Sequence, residues 1–362
     1  MSWTVDSLAY DNRKKITVQN VNVDSDLTDF PLLVDITSDS DIGAVSNADG
    51  FDHRFTESDG ITLLKYERES FSISDGVANG FYWVKTDISS VSGATIYLYY
   101  RSADTADGAD PANVWDANYR AVYHLKETGT ETYGDYKDST ANAFNSTSTT
   151  HQPDQTASGM VNGAQAFTRA NADYINLKAS STMLPPTQTG ATISAWVKNT
   201  SLTNDERIFG LFNGGNSKFA ILMGRTDNKA SVFLRNSANA LIQLDSDTNY
   251  TTGDWYHLTA TAEASSGILY QNGASVGTSA SVDVTKTLND FNTQVAMIGL
   301  NSGGSTTTAF DWTIDEVRLS DIVRSAAWIK FEYYNISNAD SELTWGTEEG
   351  GTYNGINFII SS

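Results

Sequence analysis

Paired carboxyl groups are the first residues in this sequence that could do chemistry. Two carboxyl groups about 5–5.5 Å apart can hydrolyse a glycosidic bond with retention, and alternate spacing on a strand places both on one face. The candidate pairs are Glu67 and Glu69, Asp315 and Glu316, and Glu348 and Glu349. The first pair has no third carboxylate at a spacing that would place it on the same face of the strand. The second pair is adjacent in sequence and would point to opposite faces of a strand. The third pair lies in a glycine-rich tail. We therefore expect charges that solvate a β surface and no catalytic residue.

Other catalytic and cofactor arrangements are weaker. The chain has no cysteine, which excludes disulfides, thiolate nucleophiles and cysteine zinc sites. Its 4 histidines never recur at i, i+3 or i+4, so a histidine-rich metal site is not expected. No nucleophile elbow and no glycine-rich phosphate loop stands between a strand and a helix pattern.

Charge limits the partners. The 362 residues carry 23 basic and 44 acidic side chains, a formal net charge of −21. No basic half or stripe is present to neutralise phosphates, so we expect no nucleic acid partner and no anionic membrane surface. No apolar run approaches 18 residues, so we expect no membrane insertion. An acidic surface suits cations such as calcium.

The elements that must position any site are strands. Ala94–Tyr100 and Ala191–Lys198 are rich in β-branched and aromatic residues that alternate with small or polar ones. Asp59-Gly60 and Asn272-Gly273 lie between such runs and favour tight hairpins. One segment, Ser320–Tyr333, has a helical apolar stripe and an Asp or Ser cap. The sequence predicts an all-β protein of antiparallel sandwiches with one short helical segment near the C-terminus.

Composition places the likeliest domain boundary between Arg101 and Trp115, where the stretch is small, polar and turn-prone. We predict a first β-sandwich over 1–113, a second over 114–345, and a tail over 346–362. The apolar run Ile356–Ile360 in that tail predicts a docking strand. Deletion of Gly350–Ser362 is expected to leave both sandwiches folded and to weaken assembly.

The N-terminal part of the chain resembles DUF2341, a domain family of unknown function found in bacterial and archaeal surface proteins and in some viral ones. The matching stretches are Arg13–Val18, Asp29–Val34, Asp52–Gly60, Leu64–Arg68, Trp83–Lys85, Ile96–Tyr100 and Val114–Asp116.

The remainder resembles a laminin-G-like, concanavalin A-like jelly roll. The matching stretches are Ala121–Leu125, Asp138–Thr140, Gly163–Phe167, Tyr174–Asn176, Ile193–Val197, Trp255–Leu258, Leu269–Gly273, Ile314–Arg318 and Arg324–Ile329, with Glu332-Tyr333. This fold hosts lectins, glycosidases and inert spacers alike, so the resemblance implies a fold more than an activity.

The jelly-roll resemblance implies one Ca²⁺ near the sandwich rim, held by a carboxylate and backbone carbonyls. Its candidate ligands are Asp138 and Asp315, with Asn142 and Asn145 as weaker companions. The alternative is that Asp138 caps a turn and Asp315 supports a strand end.

Sugar binding needs exposed aromatic faces with polar partners. Trp312 stands where the family pattern has a small residue, beside Asp311 and Asp315, so it could stack on a sugar or seal an interface between the domains. Tyr133, Tyr136 and Phe144 lie in a long polar stretch and are candidate loop aromatics for recognition.

These features favour a non-enzymatic surface protein with a lectin-like jelly roll that binds glycans. Residues 1–6 have neither the basic nor the apolar region of a signal peptide, although such domains normally act outside cells. A phage virion protein (capsid decoration, fibre or tail-associated) resolves this, because virions leave by lysis. We expect it on a virion surface or outside cells, bound to other virion or surface proteins as an oligomer or in an assembly. The alternatives are a cell-surface adhesin or S-layer-associated module, and a jelly-roll glycoside hydrolase or lyase.

Overall fold

The chain folds into two compact units that meet in sequence between Val114 and Trp115. The computed structural model describes residues 2–103, 106–199, 206–213, 216–223, 228–247, 249–281, 283–285, 288, 290–300, 311–337 and 339–350. The first unit holds the residues up to Val114 and the described part of Asn338–Ser362, and the second is Trp115–Ser337. The sequence predicted a second sandwich that ends at residue 345, whereas residues 339–345 here belong to the first unit.

Two antiparallel sheets build the first unit. The larger contains β1 (Trp3–Val5), β2 (Leu8–Val18), β4 (Arg54–Glu57), β7 (Ala94–Ser102), β22 (Leu343–Trp345) and β23 (Glu349–Gly350). The smaller contains β3 (Leu27–Asp39), β5 (Tyr66–Ser74) and β6 (Val77–Ile88). Their orders are β1-β2-β7-β4, with β22 and β23 on β2, and β3-β6-β5. Strand β2 therefore joins the N-terminal strands to the C-terminal ones.

Period-two alternation explains why β2 is a central strand. Tyr10, Ile16 and Val18 on one face of the strand are buried, whereas Lys15 on the other face is exposed. Burying each such apolar side chain stabilises the fold by about 1.5–3 kcal/mol. The first unit also contains one short helix, α1 (Ser40–Val45), and a 3₁₀ turn (Pro111–Asn113).

The second unit is a sandwich of an eight-stranded and a six-stranded sheet. The eight-stranded sheet contains β8 (Tyr119–Tyr123), β9 (Asp154–Val161), β10 (Gly163–Ala166), β12 (Gly190–Asn199), β17 (Trp255–Glu263), β18 (Ser266–Gln271), β19 (Ala274–Ser281) and β21 (Trp312–Ser320). The six-stranded sheet contains β11 (Ile175–Ala179), β13 (Glu206–Asn213), β14 (Asn216–Met223), β15 (Ala230–Arg235), β16 (Leu241–Asp245) and β20 (Val295–Ile298). Their orders are β19-β18-β17-β12-β21-β10-β9, with β8 on β21, and β11-β20-β13-β14-β15-β16.

Apolar side chains from both sheets of the second unit form one core. Ile193 and Val197 of the eight-stranded sheet join Phe219, Ile221 and Val232 of the six-stranded sheet in the same buried cluster. The outer face of the six-stranded sheet is therefore the face opposite this core.

Turn chemistry agrees with the sequence where a hairpin is tight. Asn272 (φ 51°) and Gly273 (φ 77°) both occupy the left-handed region. They join β18 to β19 with Gln271 opposite Ala274. Two positive φ values are what a type I′ turn requires, so the predicted Asn-Gly hairpin is confirmed.

The predicted C-terminal helical segment is confirmed as α3 (Ala326–Ser337), and it begins later than expected. Ser320 still belongs to β21, where it lies opposite Thr192. Ser325 provides the cap, because its Oγ accepts the backbone N–H of Trp328 at 3.1 Å. The second unit also contains a short helix, α2 (Ser180–Met183), and a 3₁₀ turn (Arg169–Asn171), and a further short helix, α4 (Ala339–Glu342), belongs to the first unit.

Helix α3 packs on the outer face of the eight-stranded sheet. Arg318 donates to Glu332 of the helix at 2.6 Å and to Glu316 at 2.7 Å, with all three side chains buried. Trp196 stacks on Tyr333 with ring centroids 5.6 Å apart. These contacts are structural and close that part of the face. None of the described helices is both long enough and apolar enough to cross a membrane.

Candidate functional site

The edge strand β11 presents a row of three polar or aromatic side chains. Ile175 and Leu177 point into the core at 0% and 1% exposure. Tyr174, Asn176 and Lys178 alternate with them and are partly exposed. Four residues of extended chain span about 13 Å. The row is therefore long enough to contact more than one group of an extended ligand. We call Tyr174, Asn176 and Lys178, with Tyr133 and His151, the β11 stripe.

Tyr133 extends one end of the β11 stripe. Its side chain is 59% exposed. Lys178 Nζ donates to the Tyr133 hydroxyl at 2.7 Å and lies 5.1 Å from the ring centroid. The lysine therefore holds the Tyr133 side chain in place while most of that side chain remains exposed.

His151 extends the other end. Its ring stacks on Tyr174 with centroids 5.8 Å apart and an interplanar angle of 28°. His151 Nδ1 donates to the carbonyl of Asn171 at 2.8 Å, and the backbone N–H of Tyr174 donates to the carbonyl of His151 at 2.8 Å. These bonds fix two neighbouring rings at this end of the stripe.

The loop that carries Tyr133 and His151 is attached to the edge of β11 by hydrogen bonds. Thr147 N–H donates to the carbonyl of Asn176 at 2.7 Å, and its hydroxyl donates to the carbonyl of Leu177 at 2.9 Å. The backbone N–H of Asn176 donates to Ser148 Oγ. The edge that β11 would leave open is thereby covered.

Asn176 begins a row of directly opposed residues that crosses the whole six-stranded sheet. The row reads Asn176, Met297, Gly210, Ala220, Phe233 and Gln243. Opposed residues share a face, so this row lies on the outer face. At its centre a Cβ on Gly210 would come within 2.7 Å of the Phe212 ring, so the glycine leaves room for that ring.

The far end of the row is already satisfied by internal contacts. Arg207 lies 5.0 Å from the Phe233 ring centroid. Asp245 accepts hydrogen bonds from Ser231 and Gln243, both at 2.6 Å. Polar groups at this end hold one another, whereas the β11 end presents exposed rings, an amide and an ammonium group.

The predicted ligand-binding residues fall in different environments. Tyr133 lies in the β11 stripe. Tyr136 is fully buried, and its hydroxyl donates to Gln165 Oε1 at 3.2 Å. Trp312 is 1% exposed within the core cluster. Phe144 is half-buried against the same core, with Arg120 5.4 Å from its ring. Tyr136 and Trp312 are corrected to core residues, because neither ring presents a face to solvent.

The sequence analysis missed Tyr174, Asn176, Lys178 and His151 as site residues. A signal was available for three of them, because Tyr174, Asn176 and Lys178 alternate with Ile175 and Leu177. His151 carries no such signal, since it is placed by a loop whose fold depends on distant partners.

Asp138 organises backbone rather than presenting oxygens to a cation. Its Oδ1 accepts the N–H groups of Val122 and Thr140, both at 3.0 Å, and its Oδ2 accepts the Thr140 hydroxyl at 3.0 Å. Oδ2 also accepts the N–H of Phe144 at 2.8 Å. Burial raises the pKa of the Asp138 carboxyl, and these hydrogen bonds oppose the rise.

The other two predicted calcium ligands are engaged in the same way. Asp315 Oδ2 accepts the N–H groups of Met160 and Val161 at 2.7 and 3.0 Å. Asn142 Nδ2 donates to the carbonyls of Tyr119 and Arg120 at 3.3 and 3.1 Å. Calcium needs several oxygens that face a common point. Both oxygens of Asp138 and Oδ2 of Asp315 accept protein N–H or O–H donors instead, and Asn142 is held through its amide nitrogen. The three predicted ligands do not fit a calcium ion.

The candidate catalytic carboxylates are also structural. Asp315 and Glu316 are buried at 0% and 1% exposure. Burial opposes ionisation of Glu316, but the charges of His124 and Arg318 hold its pKa below the usual range. Glu69 Oε2 accepts the indole N–H of Trp83 at 2.8 Å. These contacts give each group a structural role.

Comparisons with known proteins agree with this architecture. The DUF2341 model, a domain of unknown function, matches residues 49–152. The laminin G-type model described as Concanavalin A-like lectin/glucanases superfamily matches residues 169–330. A search of curated proteins found no match.

Similar solved structures include the binding domain of Paraclostridial Mosquitocidal Protein 1 (14% identity, TM-score 0.48, 61% of this chain and 53% of that chain). Domain 4 of AbnA, a GH43 extracellular arabinanase from Geobacillus stearothermophilus in complex with arabinotriose, is also similar (18% identity, TM-score 0.45, 60% and 98%). A third is the binding domain of botulinum neurotoxin serotype G (14% identity, TM-score 0.43, 61% and 52%). This chain spans about half the length of the two toxin domains. The chain carries a DUF2341 region followed by a concanavalin A-like domain of the laminin G type.

Proposed function

We propose that this protein is a non-enzymatic glycan-binding protein and that the β11 stripe is its binding site. The observation that carries the proposal is the placement of Tyr133 and Tyr174 at the two ends of a row that also holds Asn176 and Lys178. Aromatic faces stack on the apolar faces of sugar rings, and amide and ammonium groups hydrogen-bond to hydroxyls.

A binding role is preferred to a hydrolytic one because the candidate carboxylates of the second unit, Asp315 and Glu316, are buried and held by protein donors. A glycoside hydrolase needs two carboxyl groups that face the glycosidic bond. Reducing-end release from a glycan panel would overturn the non-enzymatic assignment.

The decisive experiment is a glycan array with the purified full chain, run with calcium and with a chelator. We expect binding in both conditions, because the stripe needs no metal. Tyr133→Ala and Lys178→Met should each weaken binding about tenfold, which corresponds to about 1.4 kcal/mol. Lys65→Met is the matched control, since Lys65 is an exposed lysine of the first unit that pairs with Asp110 at 2.8 Å. Unchanged binding in both stripe variants would overturn the site.

For location we propose a virion surface, as a capsid decoration, fibre or tail-associated protein. The acidic charge of −21 and the resemblance of the domain pair to surface and virion proteins support this. Mass spectrometry of purified particles tests it. Recovery of the protein from cell surfaces and not from particles would favour an adhesin instead.

A further inference from the structure

A concave site lies in the first unit, whereas the β11 stripe belongs to the second. It is a surface cavity of about 190 Å³ lined by Asp35, Ile36, Thr37, Asp39 and Trp345. Strand β3 supplies the first four residues, and the returning strand β22 supplies the tryptophan. The cavity is therefore built from two parts of the chain that are far apart in sequence.

The floor of the cavity is fixed by contacts within the protein. Asp39 Oδ1 caps helix α1 by accepting the N–H groups of Asp41 and Ile42, both at 3.0 Å. Its Oδ2 accepts from Lys14 Nζ at 2.6 Å. Lys14 is 8% exposed at its side chain and also pairs with Asp41 at 2.8 Å. A lysine already occupies the position that a metal cation would need.

Besides Asp39, the polar and aromatic residues that line the cavity are Trp345, Asp35 and Thr37. Trp345 is partly exposed, and its strand is held on β2 with Trp345 opposite Ile16. The following residue, Gly346, donates its N–H to the carbonyl of Lys15 at 2.8 Å. Thr37 Oγ1 donates to Asp35 Oδ2 at 3.3 Å, a long contact that a ligand hydroxyl can join.

We propose that this cavity binds a single sugar ring, stacked on Trp345 and hydrogen-bonded to Asp35 and Thr37. An aromatic face beside a carboxylate and a hydroxyl matches the apolar face and the hydroxyl edge of a pyranose. Its volume is below the range of about 300–1,000 Å³ for drug-sized ligands, so one ring fits better than an oligosaccharide. The site lies in the first unit, whereas the β11 stripe lies in the second unit.

The test uses the full chain labelled with ¹⁵N at tryptophan, which has 8 indole N–H signals. Trp345→Phe identifies the signal of Trp345. Methyl glycosides of glucose, galactose, mannose, fucose and N-acetylglucosamine are titrated separately at millimolar concentrations. We expect one of them to move the Trp345 signal in a saturable way, and Asp35→Asn to weaken that binding about tenfold because a charged acceptor is lost.

Tyr133→Ala serves as the matched control, because it alters the β11 stripe and leaves the first unit intact. The shift of the Trp345 signal must persist in that variant. A Trp345 signal that none of the glycosides moves would overturn the proposal, and so would a shift that Tyr133→Ala abolishes or that Asp35→Asn leaves unchanged. If Tyr133→Ala loses glycan-array binding but keeps the shift of the Trp345 signal, the loss reports on the β11 stripe and the cavity proposal stands.

Discussion

Arg324 donates through both terminal nitrogens of its guanidinium group to the two carboxylate oxygens of Asp116, at 2.6 and 2.8 Å. The guanidinium carbon also lies 4.2 Å from the ring centroid of Tyr119 and 4.4 Å from that of Trp328. Asp116 lies near the start of the second unit and Arg324 near its end. This bidentate ion pair, with two aromatic rings against the guanidinium group, links the two ends of that unit.

Arg324→Lys should destabilise the second unit by roughly 1.5–3 kcal/mol. A lysine cannot make two parallel hydrogen bonds to a carboxylate or stack flat between two rings. The measurement is hydrogen exchange of the amides of β12 and β21, which reports the second unit separately from the first. Arg101→Lys is the control, because Arg101 lies in the first unit with its side chain 48% exposed and should leave the protection of β12 and β21 unchanged. Equal protection in both variants would contradict the structural role.

His257 should make the second unit less stable in mild acid. Burial lowers the pKa of His257 to about 4, against its ordinary value of 6.5; Arg318 adds to the lowering and Glu332, 3.8 Å away, opposes it. The folded state therefore holds His257 neutral where the unfolded chain binds a proton. The stability from this group is complete above pH 6.5 and is lost as the pH falls toward 4.

The check is the ring-proton titration of His257 by NMR, together with hydrogen exchange of β17 at pH 7 and pH 5. His257→Gln should reduce the loss of protection between the two pH values. A titration midpoint near 6.5 for His257 in the folded protein would show that its burial does not suppress protonation.

Local patterns predicted the fold class and part of the site. Alternation and the Asn272-Gly273 turn are local signals, so the antiparallel sheets and their tight hairpin followed from sequence. Strand β22 has three residues, too few for a periodicity, and its pairing with β2 is set by distant contacts. The return of the chain to the first unit was therefore not predictable in this way.

The predicted site residues show the same contrast between local sequence patterns and tertiary contacts. Trp312 was misjudged although it alternates with Ile314, and both side chains lie in the core cluster. Tyr133 and Tyr136 are three residues apart in a polar stretch without periodicity, and only tertiary contacts expose one and bury the other. Asp138 resembled a cation ligand because a buried loop needs an acceptor for its N–H groups as much as a cation needs oxygens.

Calcium should not change the stability contributed by Asp138. Because its two oxygens accept four N–H or O–H donors, Asp138→Asn should destabilise the second unit by about 1–3 kcal/mol with or without calcium. Thermal unfolding in calcium and in chelator measures this. A calcium-dependent rise in melting temperature that Asp138→Asn removes would instead establish a metal site at this residue.

The C-terminal segment gives a paired truncation test. Removal of Gly350–Ser362 should leave both units folded, because among the described residues it takes away one register pair, Gly350 opposite Asn12. Removal of Leu343–Ser362 also takes β22 from β2 and exposes the core around Leu343, which is 3% exposed.

The longer truncation should therefore destabilise the first unit by more than about 3 kcal/mol, from one buried leucine and several backbone hydrogen bonds. Hydrogen exchange of β2 and β7 measures this, with β12 as the internal control in the second unit. The last residues, 351–362, include the predicted docking strand and lie outside the described residues. Their role in assembly is tested by the oligomeric state or particle occupancy of the shorter truncation. Equal protection of β2 in both truncations would show that the returning strand does not stabilise the first unit.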